Sequence, residues 1–240
     1  MVLALFFFLV AQERIFSVVL PELQHSRHCS SEISLSNTSA RFVDVEVIGH
    51  KATGALVGLV DRRSNKIRLH PSERTTLRLE TEDAEAWAEV LEVVPSPRLH
   101  PVLSVAGKTD CLDINELVTA TREVAPVVAD PAFTLDYDAA LLNGKVLLLI
   151  NASDSSMQWS ACYSSGTTVS DGNGGMRLLC SELLERTLAP YQSSRLAASI
   201  DGKPLVRFRA RGPAVAMQML TPSAPQVQLY KVESTIKFNE

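Results

Sequence analysis

The sequence has no apolar run long enough to cross a bilayer as a helix. The longest run, Val2 to Ala11, has ten residues, whereas a transmembrane helix needs roughly 20. We interpret residues 1–13 as a signal-peptide remnant, because a short apolar stretch ending in a small residue is typical of one. The usual basic leader is missing, since no Lys or Arg precedes Arg14, and a buried N-terminal strand is the alternative. We therefore expect a secreted or periplasmic protein with no transmembrane span in the mature chain.

An excess of positive charge is also lacking. Lys and Arg number 23 against 27 Asp and Glu, for a net charge of −4, so the chain has no overall basic character suited to nucleic acid. Enzyme motifs such as G-x-S-x-G, the P-loop, H-E-x-x-H and G-x-G-x-x-G do not occur. We predict a protein that is not an enzyme and that binds no cofactor and no nucleic acid.

Histidine is missing from the second half of the chain. The five histidines are His25, His28, His50, His70 and His100, so a Ser-His-Asp triad would have to cross between domains. HSRHC places two of them beside Cys29, but zinc needs three or four ligands at short, regular spacing. Because Cys29 has a better use in a disulfide, we predict no metal site.

Cysteine is scarce, and its even number is informative. The four residues are Cys29, Cys111, Cys162 and Cys180, and four cysteines behind a signal-like leader predict two disulfides. Three pairings are possible, of which the order of the domains favours Cys29–Cys111 and Cys162–Cys180. The glycine-rich stretch between the last two resembles an ion loop, but it lacks the closing acidic ligand of a calcium site. We interpret it as a disulfide-stapled hairpin with DGNGG at its tip.

Alternation of apolar and polar residues dominates the rest of the chain. FVDVEV, starting at Phe42, places three valines on one face and two acids on the other, and WAEVLEV and VRFRAR alternate in the same way. This pattern is typical of strands with one buried face in antiparallel sheets. The clearest helical pattern is CLDINELVTATREV, with Asp113 as N-cap and Glu116 three residues later. We interpret it as a short linker helix.

Two phrases recur along the chain. ISLSNTS and IRLHPSERTTL in the first half correspond to LLLINAS and RTLAPYQSSRL in the second. Asn151 follows Asn37 by 114 residues, and Pro190 follows Pro71 by 119. The near-constant offset predicts two copies of one domain. Asn37-Thr38-Ser39 and Asn151-Ala152-Ser153 match the N-glycosylation pattern, but we favour structural turns, because Asn and Ser stabilise turns directly.

The repeated phrases resemble strands of secreted bacterial immunoglobulin-like domains, and the whole architecture is remotely similar to that of periplasmic pilus chaperones. The resemblance implies an all-β fold of two immunoglobulin-like antiparallel β-sandwich domains joined by the linker helix. The predicted boundaries are 14–111 for the first domain, 112–131 for the linker and 132–240 for the second domain.

One strand carries the best candidate for a binding surface. Arg207, Arg209 and Arg211 alternate along one face, with Lys203 nearby and Phe208 pointing away. Guanidinium groups at this spacing suit an anionic glycan, phosphate or carboxylate. The alternative is a solvated face that protects a sheet edge.

The sequence thus predicts an exported, non-catalytic binding or structural module with an unidentified protein or glycan partner. Adhesion, envelope organisation and partner capture all fit this description. The first alternative is a periplasmic chaperone-like assembly factor that binds a subunit by strand addition. A carbohydrate-active or metal-dependent enzyme is the second.

Overall fold

Antiparallel β-strands make up all the regular secondary structure that is described. The structure, a computed structural model, describes residues 14–24, 28–81, 85–94, 100–112, 118–136, 146–170, 172 and 175–220. The predicted signal peptide, residues 1–13, lies outside these ranges. Over the described ranges, no helix is long and apolar enough to span a membrane. The all-β prediction is confirmed.

Two antiparallel sheets form the first half. Its described strands are β1 (Arg14–Leu23), β2 (Cys29–Asn37), β3 (Val43–Lys51), β4 (Leu56–Val57), β5 (Lys66–Leu69), β6 (Arg74–Leu77), β7 (Ala86–Val94), β8 (Leu103–Leu112) and β9 (Val118–Val124). One sheet has the order β1-β7-β3-β4, with β5 also paired to β3, and the other has the order β6-β2-β8-β9. The buried core combines residues of both sheets, as in a β-sandwich.

The strands of the second half are arranged around one long strand. They are β10 (Asp130–Asp136), β11 (Val146–Asn151), β12 (Met157–Tyr163), β13 (Thr168–Ser170), β14 (Met176–Leu178), β15 (Glu182–Leu188), β16 (Ser193–Ala197), β17 (Ser199–Ile200) and β18 (Lys203–Leu220). The main sheet has the order β15-β12-β18-β11-β16, with β10 and β17 also paired to β18. β18 pairs with β12 up to Arg211 and with β11 from Val215 onward.

The alternating segments form strands whose inward residues build the two cores. In β3, Val43, Val45 and Val47 are buried, while Asp44 is exposed. In β18, Leu205, Phe208 and Ala210 are buried in the second core. The two-residue turn before β18 has positive φ at both Asp201 and Gly202, which is the conformation that a tight antiparallel hairpin requires.

The predicted linker helix is wrong over Val118–Val124. These residues form β9, which pairs antiparallel with β8 and extends the second sheet of the first half. Asp113 and Glu116, the proposed capping residues, lie outside the described residues. The error has a local cause, because Val118, Thr119, Thr121 and Val124 are β-branched and fit a pleated sheet better than a helix.

Both disulfides form with the predicted pairing. Cys29–Cys111 joins β2 to β8, where the two cysteines are directly opposite in the ladder. Cys162–Cys180 joins β12 to the segment that precedes β15. β13 and β14 form the predicted hairpin between these two cysteines. The disulfide therefore fastens the base of the hairpin to β12, and Asp171, Asn173 and Gly174 of the tip lie outside the described residues.

Two buried asparagines organise matching turns. The Asn37 amide donates to the carbonyl oxygens of Arg41 and His70 at 2.6 and 2.8 Å, and the Ser39 hydroxyl donates to its side-chain oxygen at 2.8 Å. The Asn151 amide donates to the carbonyl oxygens of Ser155 and Ala189 at 2.8 and 2.9 Å, with the Ser153 hydroxyl on its side-chain oxygen. The preference for structural turns is confirmed, because both amides are buried and hydrogen-bonded.

The proline of each repeat lies in an equivalent tight turn. In His70-Pro71-Ser72-Glu73, the Glu73 amide donates to the His70 carbonyl, and Ser72 has φ of 59°. In the second half, the Gln192 amide donates to Ala189, and Tyr191 has φ of 57°. Proline followed by a positive φ is the signature of a type II turn.

A third apolar cluster joins the two halves. It consists of Val19, Trp87, Leu148, Ile150, Ala152, Ala216 and Leu220. Around it, Arg195 pairs with Glu22 and Glu85, both at 3.0 Å, and the Ser193 amide donates to the Ala52 carbonyl. Gly54, with φ of 89°, lies so close to the Pro190 carbonyl that a Cβ atom there would be 2.6 Å from that oxygen. The halves are therefore in intimate contact, through apolar, ionic and backbone interactions.

We predict that Asn37→Ala and Asn151→Ala each lower the free energy of unfolding by about 3 kcal/mol, because several carbonyl oxygens lose their donor inside the protein. Urea unfolding at neutral pH measures the change. Asn65→Ala is the matched control, since the Asn65 amide donates to Glu46 in a less buried place, and its loss is expected to be below about 1 kcal/mol. Equal losses in all three variants would contradict the structural role assigned to the turns.

Candidate binding site

Three arginines of β18 face solvent from the middle of a sheet. Arg207, Arg209 and Arg211 are exposed, and they alternate with the buried Phe208 and Ala210. β18 pairs with β12 on one side and with β10 on the other. The interpretation that these arginines protect a sheet edge is therefore wrong, because their strand is not an edge strand.

The register brings neutral hydrogen-bonding side chains beside two of the arginines. Gln158 is directly opposite Arg211, and Ser160 is directly opposite Arg209. On the far side of β12, β15 places Thr187 opposite Gln158 and Glu185 opposite Ser160. Residues opposite one another in a ladder share a face of the sheet, so these side chains form two parallel rows with the arginines.

These rows line a shallow groove of about 490 Å³. Its lining residues are Gln158, Trp159, Ser160, Glu185, Arg186, Thr187, Arg209 and Arg211. Arg186 is directly opposite the buried Trp159 in the ladder, so its side chain belongs to the other face of the sheet. The guanidinium groups of Arg209 and Arg211 and the carboxylate of Glu185 therefore share the groove. We call it the arginine groove.

The cations of the arginine groove lack acidic partners. Within the described residues, Arg209 and Arg211 form no ion pair, whereas other arginines do, such as Arg68 with Asp44 at 2.7 Å. An exposed guanidinium without a partner keeps its five N–H donors available to a ligand, and its planar fork suits carboxylate, sulfate or phosphate groups.

The other two predicted binding residues are placed differently. The Lys203 ammonium pairs with Glu182 at 2.8 Å, and this hydrogen bond raises the pKa of Lys203. Arg207 precedes Arg209 on the same face but lines a separate cavity of about 150 Å³ beside the Cys162–Cys180 disulfide. The predicted set of four residues is thus divided, and Arg209 and Arg211 alone belong to the arginine groove.

The remaining groove residues were not found from the sequence. Arg186 and Thr187 belong to the repeated phrase RTLAPYQSSRL, which had been noted for its turn alone. Gln158, Ser160 and Glu185 carry no motif, and they join the arginines through the pairing of β12 with β18 and β15. Knowledge of how β12, β15 and β18 pair residue by residue would have identified these groove residues.

Trp159 lies below the arginine groove, in the core. Its side chain is 7% exposed and packs in the second core cluster, 6.0 Å from the ring of Phe208. Its indole N–H is buried, with no hydrogen-bond partner in the protein. The ring is too deeply buried to act as a stacking surface for a ligand, although Trp159 is among the residues that line the groove.

Apolar side chains lie next to the arginine face on the disulfide side. Leu179 and Leu183 are 44% and 58% exposed. Leu183 is directly opposite Cys162 in the ladder, in the row that contains Arg207. The surface therefore changes along β18 from a polar, cationic groove to a smaller apolar region.

The histidines are dispersed rather than gathered. Across the described ranges, no three His, Cys, Asp or Glu side chains are placed to hold a metal ion. His70 packs edge-on against Phe42 at 4.9 Å, His100 is exposed, and His25 lies outside the described residues. Cys29, next to His28, is in the disulfide with Cys111.

His50 lies between two aromatic rings where the halves meet. Its ring stacks on Trp87 at 4.3 Å and on Tyr191 at 4.7 Å, and it is buried without a hydrogen-bond partner at either nitrogen. Burial lowers the pKa of His50, and the nearby backbone of Gly54 opposes this shift without reaching bonding geometry. We interpret His50 as a neutral packing residue.

Comparison with protein-family models, with curated proteins and with solved structures gives no match. The function is therefore inferred from the geometry of the chain.

We predict that the protein loses stability below about pH 6.5 because of His50. In the unfolded chain, His50 binds a proton near the ordinary histidine pKa. In the folded chain, burial lowers the pKa of His50, so that it resists protonation. His50→Phe keeps a ring in the stack and removes this effect. In urea unfolding from pH 8 to pH 5, the stability of the wild type is expected to fall relative to that of the variant.

The internal control is the range from pH 7.5 to pH 8, where His50 is neutral in both states and the difference between the two proteins is expected to be constant. Identical pH profiles for the two proteins over the whole range would contradict a lowered pKa of His50 in the folded protein.

Proposed function

We propose that this chain is an exported, non-catalytic binding module built from two immunoglobulin-like domains, and that the arginine groove is its ligand site. The observation that carries the proposal is the pair Arg209 and Arg211, which share one face of the groove and form no ion pair within the described residues. Adhesion and partner capture are both compatible with such a site.

The strand pairings support two copies of one domain. β2 pairs with β6 and β8, and β11 correspondingly pairs with β16 and the C-terminal part of β18. β3 pairs with β5 and β7, and β12 correspondingly pairs with β15 and the N-terminal part of β18. β1 pairs with β7 as β10 pairs with β18. Two packed antiparallel sheets of this kind are the basis of the immunoglobulin-like architecture.

The matching turns support the same inference. Each copy has a buried Asn-x-Ser turn. The side-chain amide of its asparagine donates a hydrogen bond to the carbonyl oxygen of the residue before the proline, which is His70 in one copy and Ala189 in the other. A non-local network repeated in this detail is more specific than the sequence offset alone.

The two disulfides support an oxidising location. Disulfides persist in secreted and periplasmic proteins and are rare in the reducing cytosol. All four cysteines are paired, so no free thiol is left in the chain.

Strand addition is a second candidate function, favoured by the open edge of β1. Both backbone groups of Val19 bond to Val127 on the side of β1 away from β7. Since alternate residues direct their backbone groups to opposite sides of a strand, Ile15 and Ser17 present theirs to the same edge. Within the described residues, no strand pairs with this part of that edge, and the Ile15 side chain is 65% exposed. An extended peptide could add there.

The main proposal predicts salt-sensitive binding of anionic ligands that depends on Arg209 and Arg211. The panel comprises a sulfated oligosaccharide, a carboxylated oligosaccharide and an acidic peptide, each measured by calorimetry at two salt concentrations. We expect the double variant Arg209→Ala/Arg211→Ala to weaken binding at least about 10-fold, because each lost charge-assisted hydrogen bond contributes roughly 1.5–3 kcal/mol.

The matched control is Arg62→Ala/Arg63→Ala, which removes the same charge from an exposed turn of the first half. It is expected to change affinity less than about 2-fold, as a screened surface charge does. Failure of every panel member to bind, or an equal loss in the control, would rule out the arginine groove as the ligand site.

The second candidate predicts that Ile15→Pro abolishes binding of extended peptides with alternating apolar residues. Proline removes an N–H from the open edge, where its ring is tolerated, and leaves the pairing of β1 with β7 in place. Ile15→Thr keeps the N–H and loses the apolar side chain, so it is expected to retain binding. Titration of a ten-residue Val/Thr peptide followed by NMR measures both, and unchanged binding to the proline variant would exclude this edge.

A further inference from the structure

The composition of the arginine groove identifies a class of ligand. We propose that it binds an acidic saccharide, a chain of sugar rings that carry carboxylate or sulfate groups; this inference rests on the proposed function of the groove as the ligand site. Three features carry it: the dimensions of the groove, the spacing of its cations and the mixture of charged and neutral groups among them.

The groove is larger than a single anion needs. Its volume of about 490 Å³ lies within the range of roughly 300–1,000 Å³ that is typical of sites for organic ligands. Arg209 and Arg211 are two residues apart on β18, so their Cα atoms are separated by about 7 Å. The cations can therefore meet anionic groups at separate points of one extended ligand.

The neutral residues fit a ligand rich in hydroxyl groups. Gln158 and Thr187 are exposed and Ser160 is half-buried, and all three line the groove beside the cations. Amide and hydroxyl side chains both donate and accept hydrogen bonds, as sugar hydroxyls do. Glu185 adds a carboxylate that can only accept, and a sugar hydroxyl can donate to it.

Two other classes of anionic macromolecule fit less well. An acidic peptide gains from the arginines, but it offers few hydroxyl donors to Glu185 to offset the repulsion that this carboxylate exerts on every anion. Single-stranded nucleic acid is bound largely by stacking of bases on exposed aromatic rings, and Trp159, the aromatic residue of the groove, is 7% exposed. The same burial removes a stacking surface for neutral sugars, so recognition depends on the anionic groups.

The decisive experiment compares four probes on the full chain by calorimetry. They are a carboxylated trisaccharide, a sulfated trisaccharide, a neutral trisaccharide and an acidic peptide matched to the carboxylated trisaccharide in net charge. We expect at least one acidic trisaccharide to bind at least 10-fold more tightly than the peptide, and the neutral trisaccharide to show no binding in the same concentration range. If only one of the two acidic trisaccharides binds, its acidic group is the one that the groove prefers.

The outcomes separate this inference from the proposal beneath it. Peptide binding as tight as or tighter than that of both acidic trisaccharides would overturn the saccharide assignment while the groove remained a ligand site. Binding of none of the probes would remove the ligand site itself. A single-stranded oligonucleotide is added as a fifth probe in a separate titration, and tighter binding of it than of the trisaccharides would also overturn the assignment.

Glu185→Gln provides a second, independent readout. The substitution removes a negative charge, which strengthens the binding of every anionic probe. It also removes a charged hydrogen-bond acceptor, which weakens the binding only of probes that donate a hydroxyl group to it, namely the trisaccharides. The ratio of peptide affinity to trisaccharide affinity is therefore expected to rise at least 5-fold in this variant. Glu80→Gln, an exposed carboxylate of the first half, is the matched control and is expected to leave the ratio unchanged. An unchanged ratio in Glu185→Gln would show that Glu185 accepts no hydrogen bond from the sugar.

Discussion

The hydrogen-bond ladder along β18 is the constraint on which the second half depends. β18 pairs with β12 and β10 through its N-terminal part and with β11 through its C-terminal part. Alternation from Arg207 to Arg211 directs Phe208 into the core and the three arginines to solvent. Farther along the same strand, Ala216 and Leu220 contribute to the contact with the first half. A shift of one residue would exchange the two faces of the strand, so the core, the arginine groove and the contact between halves depend on one register.

The contact between the halves joins elements that are far apart in the chain. His50 of the first half stacks on Trp87 and on Tyr191 of the second half. Tyr191 has a positive φ in the second proline turn. The same turn is followed by Ser193, whose amide bonds to Ala52. The type II turn at Pro190 therefore also supplies the aromatic side chain at the contact between the halves. This double use explains why a bulky tyrosine is found at a position where glycine or asparagine is usual.

Much of the fold could be predicted from local pattern, because strand alternation, the Asn-x-Ser turns and the order of the cysteines are readable over short stretches. FVDVEV became β3, and the hairpin between Cys162 and Cys180 formed as expected. What failed was non-local. The helix predicted over CLDINELVTATREV is a strand from Val118 to Val124, because β8 offers this segment a partner. The groove residues Gln158, Ser160 and Glu185 were missed for the same reason, since they meet Arg209 and Arg211 through the pairing of separate strands.

The position of the cations argues for a ligand. A charged face on an edge strand prevents aggregation, and arginines there need no further explanation. Arg209 and Arg211 are on a strand paired on both sides, so they protect no edge. The chain as a whole is acidic, with a net charge of −4, yet neither arginine forms an ion pair within the described residues. Like charges held at neighbouring positions repel one another, and an anionic ligand that bridges them turns this repulsion into attraction. The groove is thus arranged for a negatively charged partner that comes from outside the chain.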